Sequence, residues 1–499
     1  MTMTLTPVPP ATPTAHRQAA AALARAEIRM FLRSPALGAG VAITAGLCTT
    51  WGWTAEPTWD MFTTNAGMAA LVLTGVVWLL AHLAASRDHR HGAKEASSTL
   101  PATPERRTLA LLALVPTAGV IGLVTFGIEL IALLPSWPAG LFDPWNALVT
   151  VVLPMIGAAV GVAVGRWLPA TAAGPLSLFA GTAVLAMMPV FGHAADALTW
   201  LLFPVVLVES SAPGLPRPTG WHFLYLFALV VLAVAGALLR HRRAVPALVV
   251  ILALVPGTIA VQRQVDGRLP AGPATEAAVA ALLAPAAQRC ERHGRVSYCP
   301  LRGYDGWVPH WREAIEPVVR AVPAAAGELP EVRQGEGTAT SASVGLRWSR
   351  RGGWAEDSRI GLRQEYVRAL MGLPDRESGV LPEQNGGTSP AGEETLGRGP
   401  QCSGAGQLRT VVALYLVAQA APDGSWLLGG DDRVEIGQMQ FGAPERAAAA
   451  QLLDVPPQQV TAWLSDNWAA VRSPVAARAL PFGIADLPGS TGGGEAACP

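Results

Sequence analysis

Long apolar runs separated by short polar segments fill the first half of the chain, and the second half lacks them. Runs cover residues 36–54, 66–85, 108–134, 147–165, 175–192, 221–239 and 244–262. Crossing the hydrocarbon layer takes about 20 apolar residues, so each run predicts a transmembrane helix. The expected architecture is an all-α bundle of about seven spans over 36–262. Seven crossings put whatever follows residue 262 on the side opposite the N-terminus. The remaining 237 residues are enough to bury a core of their own, which predicts a soluble mixed α/β domain over 263–499.

Charge assigns the sides. Of the 14 Lys and Arg residues in the first 262, 13 fall in segments that alternation places together. They are Arg17, Arg25, Arg29 and Arg33; Arg87, Arg90, Lys94, Arg106 and Arg107; Arg166; and Arg240, Arg242 and Arg243. Only Arg217 falls opposite, where Glu56, Asp60, Asp143, Asp196 and Glu209 stand. The positive-inside rule makes the basic side cytoplasmic. The expectation is a multi-pass plasma-membrane protein with a cytoplasmic N-terminus and an extracellular C-terminal domain.

Residues 1–15 are mostly Thr, Pro and Ala, without the apolar content to fold, and read as a disordered tail. From 16 to 35 the pattern changes. Arg25, Arg29 and Arg33 recur every four residues along one helical face, with Leu23, Ile28, Met30, Phe31 and Leu32 filling the rest, until Ser34-Pro35 breaks the helix. This is the composition of an amphipathic helix lying on a membrane surface. No small-residue cleavage site follows a short apolar core, so a cleavable signal peptide is not expected.

Between the second and third runs lies the polar insertion 86–108, SRDHRHGAKEASSTLPATPERRT from Ser86. Arg87, Asp88, Arg90, His91, Gly92 and Glu95 are followed by Pro101, Pro104 and the Arg106–Arg107 pair. This order resembles the cytoplasmic loop of permease subunits of type-2 ABC exporters, which carry an Arg-rich "RR-x-G-x-x-E…P…RR" segment. The resemblance covers about residues 16–240, including the preceding amphipathic helix, which such permeases use as an elbow. It implies that 86–108 forms a coupling helix docking on a separate cytoplasmic ATPase subunit, through Arg87, Asp88, Arg90, His91, Gly92 and Glu95. It further implies a second permease subunit, as homo- or heterodimer. A basic loop that only fixes topology would carry the same charges. The seventh run and the domain after it lie outside the resemblance.

Residues 263–499 hold 22 of the 36 basic and 26 of the 36 acidic residues, and four of the five cysteines. Cys290 and Cys299 bracket a short loop containing Gly294, the arrangement of a disulfide-closed hairpin in an oxidising compartment; a metal site with His293 is the competing reading. Cys402 and Cys498 form the leftover pair. Helices are expected at about 274–289, 309–322, 359–373, 410–420, 443–453 and 457–471, with a strand at 341–348. Residues 374–401, rich in Gly, Pro, Glu and Ser, read as a flexible loop, and the tail from Pro488 is Gly-rich.

Several chemistries are excluded. A zinc-peptidase helix needs two His one turn apart with a Glu beside the first, and Arg409–Gln419 contains no His. No G-x-S-x-G is present. Lys94 is the only lysine and lies outside any phosphate-cradling GxxxxGK[ST] loop. The chain therefore binds no cofactor of its own in this reading; ATP and Mg would sit on the partner ATPase. Nothing points to nucleic acid, and membrane lipids are the remaining partner.

Ionisable groups inside spans mark either function or snorkelling to the interface. Glu129, about five residues from the outer end of the third run, is open to both, as is His82 near the inner end of the second. Pro116, Pro154, Pro189 and Pro256 lie inside runs, and Glu129 with Pro189 are the candidates for a transport path. The apolar stretch from His193 to Glu209, interrupted by Pro204, has the length of small re-entrant helices. The preferred function is the permease subunit of an ATP-driven exporter. The alternative is a membrane-anchored sensor whose exterior domain recognises a ligand.

Overall fold

Helix α1, Pro13–Leu32, opens the structure and ends where Ser34 turns extended (φ −69°, ψ 121°) ahead of Pro35. Proline suits both helix starts, since its missing N–H would have no intrahelical partner there. The helix thus begins at Pro13 instead of His16, which shortens the expected tail. The computed structural model describes residues 13–90, 103–133, 135–187, 203–205, 218–241, 244–266, 288–335, 340–345, 347–373, 402–419, 436, 439–473, 480–484 and 487. The chain divides into two units, Met1–Trp53 with Pro57–Ala278, and Thr54–Glu56 with Val279–Pro499.

The first unit is helical. After α2 (Pro35–Trp51) come α3 (Trp59–Ala85), the single turn α4 (Arg87–Arg90), α5 (Pro104–Leu112), α6 (Leu114–Leu133), α7 (Pro144–Trp167), α8 (Ala173–Met187), α9 (Thr219–Leu239) and α10 (Ala244–Asp266). Five helices are long and apolar enough to cross a membrane: α3, α5 with α6, α7, α9 and α10. A sixth counts if α1 and α2, bent by 56° at their junction, form one broken span. The expected seven are therefore five or six among the described residues. The first run is only 17 residues as a helix, and α8, the fifth run, is described over 15 before residues 188–202 fall outside the description.

Small residues set the packing. The most extensive helix contact joins α3 and α7, where Gly157, Gly161 and Gly165 face the backbone of α3 at four-residue intervals. A methyl group at these positions would collide with the carbonyl oxygens of Thr74, Trp78 and His82 respectively. Glycine spacing of this kind lets two helices approach to backbone contact, which compensates for the absence of a hydrophobic drive between helices in lipid. Polar side chains add cross-links: Asn146 Nδ2 donates to Thr63 Oγ1 at 2.8 Å, and Trp78 Nε1 to Ser177 Oγ at 3.2 Å. Asp143 caps α7 by accepting from the Trp145 and Asn146 amides.

Two ionisable residues of the apolar helices, His82 and Glu129, are buried among neighbouring helices. His82 is fully buried, its Nε2 donating to the Ala170 carbonyl at 3.2 Å, and its ring packs where any side chain on Gly174 would stand. Glu129 is 2% exposed, turned toward Cys48, whose thiol is within hydrogen-bonding reach of the carboxyl. An apolar cluster of Cys48, Trp59, Phe62 and Ala66, with Phe126 and Leu130 against it, occupies the same helices.

The second unit is mixed α/β. Strands β1 (Glu291–His293), β2 (Val296–Cys299), β3 (Glu331–Gln334) and β4 (Ser341–Val344) form a sheet in that order, β1 antiparallel to β2 and the rest parallel. The β2–β3 crossover carries α11 (Val308–Ala321), which buries Trp311, Ile315 and Val318. Helix α12 (Gly352–Met371) follows β4 and stops at Gly372, whose left-handed backbone (φ 63°) suits glycine. Then come β5 (Cys402–Ser403), α13 (Leu408–Ala418), β6 (Met439–Gln440), α14 (Ala443–Leu453) and α15 (Pro457–Val471). The expected strand to Trp348 ends at Val344, and α12 starts seven residues before the expected 359. Beyond β4 the backbone pairs instead at Ser349 with Ala55. Most of the expected helix at 274–289, the loop 374–401 and the tail from Pro488 lie outside the described residues.

A disulfide joins Cys290 to Cys299 across the β1–β2 hairpin, in place of a metal site. Helix α13 is buried at every position from Arg409 to Ala418, as its length, too short to span, predicted.

Candidate functional site

Where α3 ends and α1, α5 and α7 converge, charged side chains gather in the first unit. Arg87, at the start of α4, forms a two-pronged bridge to Glu27 of α1, Nη1 to Oε1 at 3.1 Å and Nη2 to Oε2 at 3.2 Å. Paired guanidinium and carboxylate planes give the strongest and most directional form of ion pair. Glu27 is buried, its neighbours along the helix being apolar or small. Asp88 lies 3.7 Å from Arg107 of α5, so the two ends of the 86–108 insertion are ion-paired to each other. The insertion is thereby anchored to the amphipathic helix at one point and closed on itself at another.

Beneath these pairs is a cavity of about 250 Å³ bounded by Glu27, Arg87, Asp88, Arg107 and Arg166. Leu23 and Leu111 supply part of its apolar wall. The Arg166 Nε is buried without a hydrogen-bond partner among the described residues. Arg240 Nη1 donates to the Arg166 carbonyl. Close by, His241 Nε2 and Thr108 Oγ1 hydrogen-bond at 2.9 Å. Burial pushes the His241 imidazole below its usual pKa; Arg166 and Arg240 add to the shift and Glu105 opposes it. The shift favours the neutral ring, and arginines supply positive charge here.

Of the residues singled out in sequence, Arg87 and Asp88 belong to this cluster. The side chain of Arg90, with His91, Gly92 and Glu95, lies outside the described residues, as do Pro189, Cys498 and the Cys402 side chain. Glu129 belongs to a different place, the Cys48 cluster. Three features of the first unit went unread for their structural role in the sequence. Glu27 carried a signal, being the one acid between His16 and Arg33 in an otherwise basic helix. Arg166 carried one too, as an isolated cation at the end of an apolar run. The Gly157, Gly161 and Gly165 spacing was the third.

The second unit offers structure more than chemistry. Among the described residues no group of three His, Cys, Asp or Glu could hold a metal. Its buried polar groups serve as ties. Glu445 accepts from the Gly406 amide at 2.9 Å and the Gly442 amide at 2.8 Å, fixing the turn before α13 to the start of α14. Arg363 Nε donates to the Ala314 carbonyl at 2.7 Å, Arg368 Nη2 to that of Ser341 at 2.9 Å, and Arg295 to those of Val322 and Pro323. Burial pushes the Tyr298 phenol up to about 12 and raises Tyr366 as well.

Compared with known proteins, the chain matches no family model, no curated protein and no solved structure.

Proposed function

We propose that the chain is the permease subunit of an ATP-driven exporter in the plasma membrane, working with a separate ATPase and a second permease subunit. In this reading the N-terminus and the 86–108 insertion are cytoplasmic, and the second unit is extracellular. The observation that carries it is the double anchoring of the insertion, Arg87 to Glu27 and Asp88 to Arg107. A partner that moves the insertion moves α1, α3 and α5 with it, since the insertion is tied to the first and continuous with the others. Coupling of this kind needs rigid ties and no covalent chemistry.

Membrane insertion draws support from the surface of the helices. Along α10, Val245, Leu248, Ile251, Leu252 and Val255 are 57–63% exposed, an apolar face too extensive for a water-facing surface. The Cys290–Cys299 disulfide favours an oxidising compartment for the second unit.

The test is affinity purification of the tagged chain from its own membrane in mild detergent. The reading expects an ATP-hydrolysing subunit to co-purify with the native chain and to be lost from Arg90→Glu with Lys94→Glu. A folded chain that brings down no nucleotide-binding partner sinks the exporter reading and returns attention to ligands of the second unit.

A further inference from the structure

We propose that the cavity bounded by Glu27, Arg87, Asp88, Arg107 and Arg166 binds a phosphate group, with Arg166 as its principal contact. The cavity is bounded by three arginines and two carboxylates, a net charge of +1. The carboxylates are committed: Glu27 to both prongs of Arg87, and Asp88 to Arg107. Arg166 has no carboxylate within ion-pair distance among the described residues, although Asp88 and Glu27 attract it from further away and Arg107 and Arg240 repel it. Its Nε, buried and without a partner, is a strong donor left unmet, and burying such a group unsatisfied is costly. A planar guanidinium with free donors recognises phosphate oxygens above most other anions.

The size and charge specify the ligand further. A volume of about 250 Å³ is room for a phosphate with its ester substituents, on the order of several water molecules. One excess positive charge is neutralised by a singly charged phosphodiester. Acidic phospholipid headgroups and free phosphate share this chemistry. Leu23 and Leu111 on the wall favour the lipid-borne form, whose glycerol carbons they would cover. This binding is independent of the exporter reading, since it needs neither an ATPase nor transport.

The experiment uses the full chain purified in detergent. Native mass spectrometry after exchange into phosphatidylglycerol or phosphatidylcholine measures lipid adducts, and thermal melting with and without inorganic phosphate measures the free anion. Wild type, Arg166→Gln, Arg166→Lys and the exposed control Arg263→Gln are compared. The proposal expects phosphatidylglycerol adducts favoured over phosphatidylcholine and weakened about ten-fold or more by Arg166→Gln, the loss of one charge-assisted contact. Arg166→Lys falls between, and Arg263→Gln matches wild type. A melting shift with inorganic phosphate that disappears in Arg166→Gln supports the site with free phosphate as its ligand. Equal adducts and equal shifts in wild type and Arg166→Gln, or none in either, overturn it. Should Arg166→Gln fail to fold, Arg166→Lys decides: binding indistinguishable from wild type counts against the proposal.

Discussion

In the first unit the helices that meet most extensively, α3 and α7, touch through glycines set against carbonyl oxygens. In the second, elements are tied by arginine side chains that reach across to carbonyls. With the first unit in the membrane and the second in water, as we propose, the difference follows from where each unit gets its cohesion. Helices surrounded by apolar chains gain little from burying more apolar surface, so they depend on close approach and van der Waals contact. A unit surrounded by water gains from burying Trp311, Ile315 and Tyr366, and can then afford buried guanidinium groups provided each is met by an acceptor. The loop end of the first unit is the exception, where arginines and carboxylates gather among the described residues, and it adjoins the insertion to which we assign coupling.

The comparison can be broken most severely in the second unit. Trp311→Ala removes a fully buried indole from α11 and is expected to cost about 3–5 kcal/mol, read as a fall in the urea midpoint. Removing the disulfide with Cys290→Ser and Cys299→Ser frees a loop spanning nine positions, with an expected cost of about 2–3 kcal/mol on the same assay. An unchanged midpoint in either case would mean that the sheet and α11 are not the core of this unit.

In the first unit the sensitive positions are the smallest residues. Gly161→Ala places a methyl group against the Trp78 carbonyl and is expected to cost about 1–3 kcal/mol, seen as a lower melting temperature in detergent. Gly46→Ala, where nothing lies within 4 Å, should be neutral or slightly stabilising, since alanine is the better helix former by about 0.5–1 kcal/mol. If the two substitutions behave alike, close packing is not what joins α3 to α7.

A smaller effect separates the units by pH. Tyr298 is raised from 10.0 to about 12, first by burial, with Glu316 adding and Arg312 opposing. A phenol whose folded pKa lies above its unfolded value contributes stability that is present below pH 10 and lost as pH rises toward 12. Alkaline titration of the second unit's unfolding should show this decline, and Tyr298→Phe should flatten it. A slope identical in wild type and variant would remove Tyr298 as its cause.

Periodicity carried much of this fold and little of the site. The apolar runs located the long apolar helices described in the first unit, and 443–453 and 457–471 were legible to the residue because Gly442 with Pro444, and Pro456 with Pro457, punctuate them. The start of α12 was not legible. Gly352 and Gly353 look like turn residues, yet the helix runs through them, and its apolar positions lack a clear stripe. The cluster was half legible for a different reason. Arg87 and Asp88 stand out in a polar insertion, whereas Glu27 and Arg166 acquire meaning only from partners 60 or more positions away. Likewise Glu129 and His82 have neighbours that length and hydropathy do not encode, so their burial had to come from packing.

If the Arg87–Glu27 tie transmits movement of the insertion to α1, as we propose, a charge swap across it should show this. Glu27→Arg, Arg87→Glu and the double swap would be purified with whatever ATPase accompanies the native chain, and ATP hydrolysis measured in reconstituted vesicles. Each single reversal places like charges together in a partly buried site and is expected to cost on the order of 1 kcal/mol of stability, limited by the exposure of Arg87. The account predicts that hydrolysis coupled to transport falls in both single variants and recovers in the double swap. Equal activity in all four proteins, or no ATPase accompanying the folded native chain, would contradict it.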